Sequence, residues 1–88
     1  MSAETHHETL ITGIPLWLME DYLRRLGAVP SGDEWLHPDG WKAQIEEAED
    51  YQIGSLRVGR IRLILYGPAQ VLEQAQQALA PYLLRGGG

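Results

Sequence analysis

Arg57, Arg60 and Arg62 bring three of the chain's seven basic side chains into one six-residue stretch. Guanidinium forks match carboxylate and phosphate oxygens, so three of them gathered on one surface would hold a small anion. The alternative use for them is ion pairing with Glu46 or Glu49 on a neighbouring strand of an acidic protein. Trp17 is the second candidate. It sits about 100° from the apolar stripe of the first helix, where an aromatic either anchors a partner or folds over the loop around Pro30. His6, His7 and His37, with Asp33 or Glu8, could be drawn into a metal site, but none has HxxxH or HExxH spacing. No metal site and no cofactor are therefore expected. No Ser–His–Asp order, phosphate-cradling glycine loop or paired carboxylates stand out, and the chain is not expected to be an enzyme.

The run Leu83–Leu84–Arg85–Gly86–Gly87–Gly88 carries a different chemistry. It resembles the tail of ubiquitin-like carriers and of the bacterial sulfur carriers of that fold. That resemblance implies a terminal diglycine, here Gly87 and Gly88, that a partner adenylates. Glycine suits the role because a tail without side chains threads into a narrow activating site. The carrier fold, however, begins with a hairpin and brings a strand to its tail. Here a strand and then a helix open the chain, and a helix precedes the glycines, which also serve as a plain helix stop.

Composition narrows the classes further. With 88 residues the chain has room for one domain. A net charge of −5 argues against general nucleic-acid binding, which needs a basic surface, and no aromatic set interleaves the arginines. No apolar run is long enough for a membrane span, and the polar start carries no signal-peptide core. The absence of cysteine fits a reducing cytoplasm. Six arginines against one lysine, with no Asn, Cys or Phe, lean towards a thermophilic bacterial source.

The elements that must position these residues follow from periodicity. Residues 1–7 read as a disordered polar leader, residues 8–85 as one domain, and residues 86–88 as a glycine tail. Thr9–Ile14 is rich in β-branched residues and reads as a strand. Pro15 starts a helix in which Leu16, Met19, Tyr22, Leu23 and Leu26 share one face, with Glu20–Arg24 and Asp21–Arg25 paired on the other and Gly27 closing it. Residues 29–33 read as loop. Pro38–Asp39–Gly40 is a turn signal between Glu34–His37 and the alternating strand Trp41–Glu47, with Trp35 and Trp41 packing on each other or on the sheet edge. The acidic residues 46–50 then read as a bend. After Gly67–Pro68, a second helix carries Val71, Leu72, Ala75, Ala78, Leu79, Tyr82 and Leu83 on one side, with Pro81 breaking or kinking its last turn.

One parity conflict decides the sheet. Leu56 and Val58 are apolar at even positions, whereas Ile61, Leu63 and Leu65 are apolar at odd ones, and one regular strand cannot bury both sets. Gly59 is the candidate interruption. The register rule favours a two-residue hairpin at Gly59–Arg60, which sets Arg57 opposite Arg62; the alternative is a bulge.

The sum is an α+β two-layer sandwich. Two helices cover one face of a mainly antiparallel sheet of three to five strands, in the order β-α-β-β-(β)-β-α, a ferredoxin-like variant. The composition, with the Gly13–Ile14–Pro15 helix start and the segment from Ile53 to Arg60, resembles a small uncharacterised family of thermophilic bacteria, a resemblance that implies no activity. The expected function is a non-enzymatic binding or assembly module. It self-associates as a homodimer through a sheet edge or Trp17. The alternatives are an anion-binding domain using Arg57, Arg60 and Arg62, and a diglycine-tailed carrier.

Overall fold

The proline starts and apolar stripes become two helices in the structure, a computed structural model that describes residues 4–87. In chain order the elements are β1 (Glu4–Thr12), α1 (Leu16–Arg25), β2 (Val29–Ser31), β3 (Glu34–Leu36), β4 (Lys42–Ile53), β5 (Leu56–Pro68) and α2 (Ala69–Gly87). Pro15, with φ −71° and ψ 157°, is the extended residue from which α1 springs. Pro81 lies inside α2, which continues beyond it to Gly87.

All strand pairs are antiparallel, and the sheet order is β1-β5-β4-β3-β2. The chain is therefore a four-strand meander from β2 to β5, with β1 added beside β5. Both helices cover one face. Ile11, Ala43, Ile61, Leu63 and Leu65 from the sheet are buried in one cluster with Met19 and Leu23 of α1 and Leu72, Ala75 and Leu79 of α2. Tyr22 and Tyr82 pack together at 5.0 Å where the helices meet.

Several local expectations need correction. β1 begins at Glu4, so the supposed leader is already in the ladder, where Glu4 faces Pro68 and His6 faces Tyr66. Residues 29–33 are not loop but the β2–β3 hairpin, turning at Gly32–Asp33. The acidic stretch is not a bend: β4 runs through it to Ile53, and its carboxylates point to solvent from a paired strand.

The hairpin expected at Gly59–Arg60 is absent. The chain turns at Gly54–Ser55, with Ile53 facing Leu56, and β5 runs unbroken through Gly59. Gly54 takes φ +59° and Ser55 has no positive φ, the pattern of a two-residue turn with glycine in its first position. The irregularity lies on the other strand. Ala48 faces Arg60 and Tyr51 faces Val58, so Glu49 and Asp50 together oppose the single residue Gly59. The parity conflict dissolves because β5 does not bury both apolar sets: Ile61, Leu63 and Leu65 go under the helices, and Leu56 and Val58 stay outside.

β1 ends at the same level. Thr12 faces Arg60, and the Gly13 N–H closes the ladder with a 3.0 Å bond to the Gly59 carbonyl. Past that point β4 and β5 continue as a two-stranded arm, paired only with each other, and the molecule measures 49 × 25 × 23 Å.

Candidate functional site

Strand alternation sorts the even positions of β5 onto the face that the helices leave open. Cross-strand partners share that face. It carries, from the arm inward, Ile53 with Leu56, Tyr51 with Val58, Ala48 with Arg60, Glu46 with Arg62, Gln44 with Ile64 and Lys42 with Tyr66. β1 adds Leu10 beside Arg62 and His6 beside Tyr66; β3 and β2 add Leu36 and Val29.

The middle of this face is polar and internally satisfied. Arg62 donates to Glu46 at 2.7 Å and lies 3.6 Å from Glu8. The hydrogen bond that Glu46 accepts raises the Arg62 pKa above the ordinary arginine value despite partial desolvation, so the guanidinium is charged at any working pH. The Tyr66 hydroxyl donates to Gln44 at 3.0 Å, and Lys42 lies over the Tyr66 ring while reaching Glu34 at 3.8 Å.

Around that belt the face is apolar. Of the seven large apolar side chains left exposed among the described residues, six lie on it: Leu10, Val29, Leu36, Tyr51, Ile53 and Leu56. The bulge in β4 produces the arm's share. Without its extra residue, Tyr51 and Ile53 would fall on the helix side. With it they join Leu56 and Val58.

The three arginines do not form one group. Arg60 and Arg62 stand on the open face, while Arg57, opposite Gln52, falls on the other side of the arm. The Arg60 Nε–H donates to the Glu49 carbonyl at 2.8 Å, and its guanidinium lies 5.7 Å from the centre of the Tyr51 ring. An anion touching all three has no common surface on which to sit. Trp17 is 67% exposed on α1 and does not fold over the loop around Pro30. Trp35 and Trp41 are buried separately, Trp35 beneath Arg24 and Trp41 stacked on His37 at 4.5 Å. Gly87 ends α2, and Gly88 lies outside the described residues.

Sequence reasoning missed the role of His37. The Asp39 N–H donates to its Nδ1 at 3.0 Å, which leaves Nε2 as the protonated nitrogen, 2.7 Å from the Leu26 carbonyl. The ring thus caps the C-terminus of α1 and ties it to the β3–β4 turn. No spacing motif announces such a contact, because its partners are eleven residues apart and meet only in the fold.

The sheet also has two very different edges. β2 is three residues long and contains Pro30, which blunts it. β1 is nine residues long, and its outer side has no strand partner. It contains no proline, no lysine and no register shift.

These features define a two-layer α+β domain with one open face and one open edge. Residues 7–88 match the family described as archaeal MoaD-like protein, and the chain belongs to that family. The expected membership of a small domain family is met by this one. No curated protein matches the chain. Membership coexists with a departure from the carrier topology: β1 is followed by α1 rather than by a second strand, and α2 leads directly into the glycines.

Proposed function

We propose that the protein is a non-enzymatic assembly module that associates with a second copy of itself through the free edge of β1. The observation that carries this reading is the edge itself: a nine-residue strand whose outward-pointing backbone N–H and C=O groups have no strand partner among the described residues, with no proline, lysine or bulge to blunt it. The apolar residues around the open face add surface for further partners. Sedimentation at tens of micromolar should give a dimer; a sharp monomer overturns the reading.

A second reading is favoured by the family match together with the Leu83–Gly88 run: a sulfur-carrier-like protein whose terminal glycine carboxylate is activated by a partner enzyme. The tail would have to leave the helix, and Gly86 and Gly87 make that inexpensive, since each glycine weakens a helix by about 1 kcal/mol relative to alanine. Intact-mass analysis of protein from its own host distinguishes the two. A C-terminal adenylate or thiocarboxylate supports the carrier, and an unmodified C-terminus together with a dimer supports the assembly module.

A further inference from the structure

We propose that two copies pair β1 to β1 antiparallel in one register, with His7 on the two-fold axis; this rests on the self-association reading and specifies its interface. The ladder to β5 fixes the faces of β1. His6, Glu8 and Leu10 share the open face with Tyr66, Ile64 and Arg62, while Thr5, His7 and Thr9 share the helix side with Gly67, Leu65 and Leu63. A two-fold axis perpendicular to a continuous sheet keeps each face in register with itself. Even positions therefore oppose even positions, and the axis must pass through a residue.

Three centres, His7, Glu8 and Thr9, pair at least seven of the nine residues of β1 with the other copy, and charge separates them. An axis through Glu8 sets that carboxylate against itself, and like charges opposed across a strand pair are unfavourable. An axis through Thr9 leaves each Glu8 facing Leu10. Only the axis through His7 sets each Glu8 against a His6 of the other copy, with Thr5 against Thr9 on the reverse side. Glu8 is available for this contact. Among the described residues its one ionic partner is Arg62 at 3.6 Å, and Arg62 is held more closely by Glu46 at 2.7 Å.

The helix side supplies the apolar area that a strand ladder lacks. A groove of about 300 Å³ runs beside the edge, lined by His7, Thr9, Leu63, Leu79, Ala80 and Leu83. Stable interfaces bury about 1,200 Å² or more. The axis through His7 brings the two grooves together beneath the paired α2 helices, so their apolar walls close on one another.

The chain contains no cysteine, so a single-cysteine scan reads the register directly. A residue on the axis faces its own copy at about 4.5–5.5 Å between Cα atoms, inside the roughly 4.4–6.8 Å span of a disulfide. A residue one step away is separated from its copy by two residues along the strand, at about 8 Å, which is too far. Under mild oxidation His7→Cys should convert most of the chain to a covalent dimer, while His6→Cys, Glu8→Cys and Thr9→Cys remain at background. Sedimentation of the same four variants, reduced, keeps the two claims apart. A dimer that crosslinks at another position, or at none, overturns the His7 axis but leaves self-association standing. A reduced monomer in all four, as in the unaltered chain, overturns both.

Discussion

The two halves of the β4–β5 ladder use the same alternation for opposite ends. In the inner half, Ala43, Leu63 and Leu65 alternate with the half-buried residues of the open face and lie buried under two helices. In the arm, Tyr51, Ile53, Leu56 and Val58 alternate just as regularly, yet Leu56 is 67% exposed. What differs is the presence of a third element. β1 stops at Thr12 and β3 pairs with β4 only at Lys42 and Ala43, so nothing flanks the arm. Alternation reports which residues share a face. It does not report whether that face is covered.

The sharpest way to break this contrast is to make the same deletion in both halves. Leu65→Ala removes a side chain that is 1% exposed and should cost about 2–5 kcal/mol, the range for cavity-forming core truncations. Leu56→Ala deletes the same atoms from the arm and should change global stability by no more than about 0.5 kcal/mol. Urea unfolding of the two variants measures the difference. Equal losses would mean that the arm is packed against something in solution, and the open face would then be an occupied interface.

A smaller effect is expected at the latch that holds the inner half together. His37→Ala leaves the Leu26 carbonyl without its partner in a half-buried position and removes the ring stacked on Trp41. A loss of about 1–3 kcal/mol follows from an orphaned buried acceptor. Amide exchange should quicken around Leu26–Ala28 and the Pro38–Gly40 turn while the arm is unaffected. Faster exchange in the arm instead would show that the two halves are not independent.

The inner half was also the legible one. Proline starts and the 3.6-residue stripe gave both helices, and Ile61–Leu65 could only be a buried strand once the helices needed a floor. The arm is illegible for a physical reason: apolar alternation on β5 suggests that every apolar set is buried, and in the arm nothing covers it. That suggestion moves the turn to Gly59, although Gly54–Ser55 between two apolar runs is the stronger hairpin signal. Glu46–Asp50 read as a bend because an acidic run looks solvated, whereas Arg62 and a partner strand hold it extended. The open β1 edge depends on strand order and His37 on a contact across the fold, so neither was visible residue by residue. The three arginines were visible, but their grouping depended on the misplaced turn.

The finest test concerns the two glycines that competed for that turn. Gly54 sits at φ +59°, where an L side chain is strained, so Gly54→Ala should weaken the arm by about 1 kcal/mol or more. Gly59 has no left-handed φ, and an added Cβ there meets nothing within 4 Å. Gly59→Ala should therefore be neutral or slightly stabilising, because alanine costs less backbone entropy than glycine in an extended strand. No other strand flanks the arm, so the readout is local: amide exchange at Tyr51–Val58, faster in the Gly54 variant and unchanged or slower in the Gly59 variant. The reverse pattern would return the hairpin to Gly59–Arg60. Arg57 would then face Arg62, and the arm would no longer exist as a separate half of the ladder.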